Sequence, residues 1–209
     1  RWARDRLTRT FTKLLLNDVY DYFYDARNAR HIDAIFKSRL GDGPLVVIGH
    51  SFGSVIAYLN LCRSDALEPG IVRLFVTIGS PLGLQEVQDN LMEKLDVDRL
   101  AVPDCVGHWV NIADWLDPVA ADPRLNNDIE GTIEDIRATN LDSPRHPHSA
   151  TGYLGLSACQ ERVREAVGAA FAQPISSFSI ARDLTDRIED SLTLIGEEEL
   201  PANRGEKHH

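Results

Sequence analysis

Residues 45–62 constrain this chain more than any other stretch. Leu45-Val46-Val47-Ile48 is rich in β-branched residues and apolar on both faces, as a buried parallel strand is. It runs through Gly49-His50-Ser51-Phe52-Gly53 directly into Ser54-Val55-Ile56-Ala57-Tyr58-Leu59-Asn60-Leu61-Cys62, a mostly apolar helical run. A strand that passes through a tight turn into a buried helix needs a second parallel strand beyond that helix, so the class it sets is α/β.

The rest of the chain repeats the alternation. Residues 71–78 read as a second strand, residues 84–95 as a helix with its charges on one side, and residues 108–112 as a third buried strand. Upstream, Leu7, Phe11, Leu14, Leu15 and Val19 share a helical stripe, as do Ile32, Ile35, Phe36 and Leu40 before the stop signal Gly41-Asp42-Gly43-Pro44. Residues 114–147 are rich in Asp, Asn and Pro; Ile129, Gly131, Ile133 and Ile136 allow at most a short strand there. Helical spacing returns over residues 150–172. This divides the chain into a helical segment at 1–40, an α/β core at 41–175, and a C-terminal helical extension with a polar tail at 176–209.

Composition closes off other functions. With 22 Lys+Arg against 32 Asp+Glu, a net charge of −10 offers no general attraction to nucleic-acid phosphates or anionic lipid surfaces. No apolar run approaches the roughly 20 residues of a transmembrane helix. Cys62, Cys105 and Cys159 are too few and too scattered for a disulfide framework or a zinc knuckle, which leads us to expect a reducing, cytoplasmic setting and no metal.

The turn Gly49-His50-Ser51-Phe52-Gly53 matches G-x-S-x-G, of which chance would place about 0.05 copies in a chain of this composition. The motif's mechanism demands its flanking strand and helix, because the serine must stand on a sharp turn between them, with glycines two residues to either side relieving crowding. Ser51 is then a candidate nucleophile, with the Phe52 N–H at the helix start facing a developing oxyanion. The competing reading is a serine that only caps the helix. A nucleophilic serine needs a base and an orienting acid further along. Asp114 and Asp117 follow the third strand, and either serves as the acid. Among the histidines, His146 and His148 stand in the loop before the last long helix, and His148, at the loop–helix junction, is the preferred base. A metal at His146, His148 and Asp142 is disfavoured for want of further ligands.

Taken together, residues 45–58 resemble the nucleophile elbow of α/β-hydrolase-fold serine esterases and lipases. Val76-Thr77-Ile78-Gly79-Ser80-Pro81-Leu82-Gly83 is similar to the strand and turn that follow in lipase-like branches, and residues 109–120 are similar to their W-x-N-x-x-D-x-x-D-P-V-A segment. His148-Ser149-Ala150-Thr151-Gly152-Tyr153-Leu154 resembles their H-S-x-x-x-Y-L. The resemblance spans residues 40–160 and implies Ser51, Asp117 and His148 as the triad, Asp114 as the alternative acid, Phe52 as an oxyanion donor, and no cofactor. It implies hydrolysis of a small-molecule or lipid ester; a peptidase or thioesterase would use the same residues, and a catalytically degenerate domain would act as a binding or assembly module. The family also has strands before the elbow, whereas only helical sequence precedes residue 45. The free edge of that strand is therefore expected to be covered by the helices of residues 1–40 or paired with polypeptide from outside this numbering, a missing N-terminal portion or a partner chain.

Overall fold

The computed structural model describes residues 22–41, 44–64 and 66–168. Its centre is a sheet of four parallel strands in sequential order: β1 (Leu45–His50), β2 (Val72–Ile78), β3 (Trp109–Ala113) and β4 (Ile133–Arg137). Between β1 and β2 lies α2 (Phe52–Cys62), and between β2 and β3 lies α3 (Gln85–Leu95); α1 (Ala26–Arg39) precedes the sheet. After β4 come a short α4 (Ala150–Leu154) and α5 (Ser157–Val167).

The period-two alternation of the strands sorts their side chains onto two faces. Val72, Phe75, Trp109 and Ile133 join α2 and α3 in one apolar cluster, in which the Trp109 ring lies 5.0 Å from Phe75 and 5.4 Å from Tyr58. Leu74, Val76, Ile78, Val110 and Ile112 form a second cluster with Tyr153, Leu156 and Cys159. Helices thus cover both faces, and the fold is α/β. A strand order that advances one way puts successive crossover helices on one face, and α4 and α5 close the other by turning back over the sheet.

The short strand that the sequence allows within residues 114–147 is formed as β4, paired along its length with β3. Its mixed sequence Ile133-Glu134-Asp135-Ile136-Arg137 fits a sheet edge, and the half-buried carboxylate of Asp135 is occupied: Oδ1 accepts from Leu125 N and Asn111 Nδ2, and Oδ2 from Asn126 N. The helix expected over 150–172 is broken at Gly155 and Leu156; Leu156, in extended conformation, caps α5, and residues 169–172 lie outside the described part. The first strand runs from Leu45 to His50, so that it ends directly before Ser51. Helix α1 ends at Arg39, with Leu40 as its C-cap, and packs on α2; the outer edge of β1 has no strand partner among the described residues. The helical stripe of residues 7–19 and the extension at 176–209 lie outside the described residues.

Polar side chains fasten α1 to α2. Asp33 Oδ1 accepts from the Tyr22 hydroxyl (2.6 Å) and from Asn60 Nδ2 (2.7 Å). Beside this junction, Tyr22 and Phe23 meet the Phe52 ring edge-on at 5.6 and 6.2 Å.

Candidate active site

All the candidate groups stand at the carboxyl ends of the strands, where successive parallel strands deliver their loops to one rim. Ser51 follows β1 and adopts φ 53°, ψ −134°, a strained backbone for a residue with a side chain. The strain is held from three sides. Ser51 N donates to the Ile78 carbonyl (3.1 Å), the Ser51 carbonyl accepts from Ser54 N and the Ser54 hydroxyl, and that hydroxyl lies 2.7 Å from Ser80 Oγ at the end of β2. Gly49 has no room for a side chain, since a Cβ there would lie 2.6 Å from Ser54 Cα. Gly53 corrects the steric expectation: a Cβ at that position meets nothing within 4 Å.

Although Ser51 occupies the N-cap position of α2, its hydroxyl makes no capping bond; it lies 2.9 Å from His148 Nε2 instead. On the other side of that ring, Nδ1 stands 2.9 and 3.0 Å from the two Asp117 oxygens. A carboxylate only accepts, so Nδ1 carries the ring proton and Nε2 presents its lone pair to the serine hydroxyl. Ser51, His148 and Asp117 therefore form one continuous hydrogen-bonded chain. No significant match to this chain comes from family models, from curated proteins or from solved structures. The geometry carries the functional argument alone.

Asp117 is wholly buried yet richly partnered. Oδ1 accepts from Val119 N (2.9 Å), and Oδ2 accepts from the Tyr153 hydroxyl (2.8 Å). Burial and the adjacent carboxylate push the Tyr153 phenol far above its ordinary pKa, which keeps it a donor. The same phenolic oxygen accepts from Asp114 N (2.9 Å), so Tyr153 ties both aspartates of the β3 loop to α4.

Asp114, the alternative acid, has other work. Its Oδ1 accepts from Leu116 N and its Oδ2 from Asn140 N (2.7 Å). Asn140 in turn donates to the Ser149 carbonyl (2.8 Å), next to His148. Asp114 thereby staples the β3 loop to the loop that carries the histidine.

Besides the contacts of Tyr153 and Asn140, the roles of Gly79 and His50 escaped the sequence reading. Gly79 has φ +54°, and a Cβ there would stand 2.8 Å from Asp117 Oδ2 and 3.1 Å from His148 Nδ1. A Gly-Ser-Pro turn directly after a strand is the signal that could have revealed it. His50, taken only as the variable residue of the turn, packs its ring 4.6 Å from that of His148. His146 is exposed, and His31 lies exposed on α1. His108 stands just before β3, 3.4 Å from Glu134. Phe52 and Tyr153 belong to the apolar core, whereas Trp115, Leu116 and Leu141 are exposed to 72%, 42% and 64% on the two loops that Asp114 joins. The Arg137 guanidinium lies 3.9 Å over the Trp115 ring.

Proposed function

We propose that this chain is a serine hydrolase of the α/β-hydrolase type, acting on carboxylic esters by acyl transfer. The observation that carries this reading is the single chain of hydrogen bonds from Ser51 Oγ through His148 to Asp117. Ser51 Oγ attacks the acyl carbon while His148 Nε2 takes its proton; Asp117 holds Nδ1–H and offsets the positive charge on the imidazolium. Phe52 N–H, the first amide of α2 and without an intrahelical partner, faces the oxyanion with the helix dipole behind it. Collapse breaks the ester C–O bond, His148 returns the proton to the leaving alcohol, and a water activated by the same imidazole hydrolyses the acyl-enzyme.

Exposed Trp115, Leu116 and Leu141 beside the site favour an ester with an apolar acyl or alcohol part. That the outer edge of β1 has no strand partner among the described residues supports a second element of the reading, that further polypeptide pairs there and brings a second oxyanion donor. The same unpaired edge among the described residues is what favours the alternative, a degenerate domain that serves as a binding module. A fluorophosphonate probe separates the two. Covalent labelling of the folded chain that disappears in Ser51→Ala supports the enzyme; a folded chain that never labels removes it.

A further inference from the structure

We propose that His50 is a positioning residue, clamping the backbone of His148 to the end of β1 so that base and nucleophile are gauged from two consecutive residues. The proposal rests on the hydrolase reading for its catalytic meaning and on geometry for its existence. His50 Nε2 stands 2.9 Å from the His148 carbonyl oxygen, across 98 residues of sequence. A carbonyl only accepts, so Nε2 carries the proton in His50, the tautomer opposite to that of His148. The two rings pack at 4.6 Å with their planes 36° apart.

These contacts close a loop of interactions. His50 is bonded to Ser51 through the chain; the Ser51 hydroxyl meets His148 Nε2 at 2.9 Å, and the His148 carbonyl returns to the His50 ring. The base is therefore held at its ring and at its backbone by the same short turn. From the opposite direction Asn140 Nδ2 grips the next carbonyl, that of Ser149, at 2.8 Å. The His50 bond thus adds to the reacting hydrogen bond a second attachment between the loop bearing the base and the turn bearing the nucleophile, and limits the shifts of that loop that would change the Oγ–Nε2 distance.

Charge bears on the assignment as well. The titratable groups acting on the His50 ring are His148 and Asp117, both from loops at the strand ends. Burial first, and repulsion from His148 second, bring the His50 pKa down to about 4. His50 is neutral at pH 7 and adds no positive charge against the imidazolium that His148 becomes during the reaction.

Two substitutions in the 209-residue chain test the clamp. His50→Phe keeps a ring against His148 and removes the donor, whereas His50→Gln keeps an N–H near the position of Nε2. With a p-nitrophenyl ester, the Phe variant is expected to lose kcat by about 10- to 100-fold with KM little changed, as for a base displaced by a fraction of an ångström. Its fluorophosphonate labelling should slow in parallel, and the Gln variant should recover most of both rates. On 15N-labelled Ser51→Ala protein, imidazole NMR should show His50 as the Nε2–H tautomer without titration between pH 5 and 8. A folded His50→Phe that labels at the wild-type rate, a Gln variant as slow as the Phe variant, or a His50 that titrates in that range would each overturn the proposal. If the wild-type chain neither turns over nor labels, the hydrolase reading falls by itself, and the NMR result still decides whether the clamp exists.

Discussion

Replacing Tyr153 by Phe removes one oxygen and nothing else from a side chain that is fully buried against the underside of the sheet. That oxygen makes two bonds, donating to Asp117 Oδ2 at 2.8 Å and accepting from Asp114 N at 2.9 Å. A hydrogen bond to a charged group contributes about 1.5–3 kcal/mol, and an orphaned buried N–H costs about 1–3 kcal/mol. Because both losses fall on one loop and share its relaxation, the expected destabilisation is about 3 kcal/mol rather than the extreme of the two together. For a chain of this length that is a fall in Tm of roughly 6–12 °C, readable by circular dichroism or scanning calorimetry. Asp117 keeps Val119 N and His148 as partners, so catalysis should survive with kcat reduced by about 10-fold. The informative quantity is the pairing of the two effects. A Tyr153→Phe protein with wild-type Tm would mean that the phenol does not hold the two aspartates, and the account of how Asp117 is fixed would fail with it.

The two aspartates separate by substitution: Asp117→Asn should lower kcat/KM by about 10³- to 10⁴-fold with the protein folded, whereas Asp114→Asn, losing one backbone acceptor, should mainly lower Tm by a few degrees. The reverse pattern in the same ester assay would exchange their roles. Gly79→Ala drives a methyl into Asp117 and His148 at a positive φ and should abolish labelling, while Gly53→Ala, unobstructed in the first turn of a helix, should stabilise by about 0.5–1 kcal/mol and label normally. In thermal melts, His50 makes stability pH-dependent: above pH 6.5 neither state is protonated, but as pH falls from 6.5 towards 4 the unfolded chain gains a proton that the native ring refuses. Up to about 3 kcal/mol is lost across that window, and His50→Phe should flatten that part of the curve.

The elbow was legible because its logic is local. A β-branched run, a glycine that tolerates no Cβ and an apolar helix are adjacent in sequence, and the structure joins them as adjacent elements. Residues 133–137 were harder, because a strand at the sheet edge is half polar and its alternation is diluted by Asp135, whose carboxylate caps the turn at Leu125. Asp114 and Asp117 could not be told apart by any residue-level argument: three positions apart in one turn, they differ only in what stands opposite. One faces the amides of Leu116 and Asn140, the other the ring of His148. His50 lay beyond reach for the same reason, since its partner is a carbonyl 98 residues away.

The sequential strand order has a bearing on how this molecule comes into being. With β1 to β4 laid down in the order of synthesis, each new strand docks on the one just made, and the serine turn is complete as soon as β2 supplies Ile78 and Ser80. The histidine arrives 97 residues after the serine, which at roughly 5–20 residues per second is a delay of about 5–20 seconds on the ribosome. Throughout that interval the serine has no His148 beside it. On the hydrolase reading proposed above, the hydroxyl gains its base only when the loop after β4 closes over it, so a growing chain of this design would not attack esters before its own fold is finished.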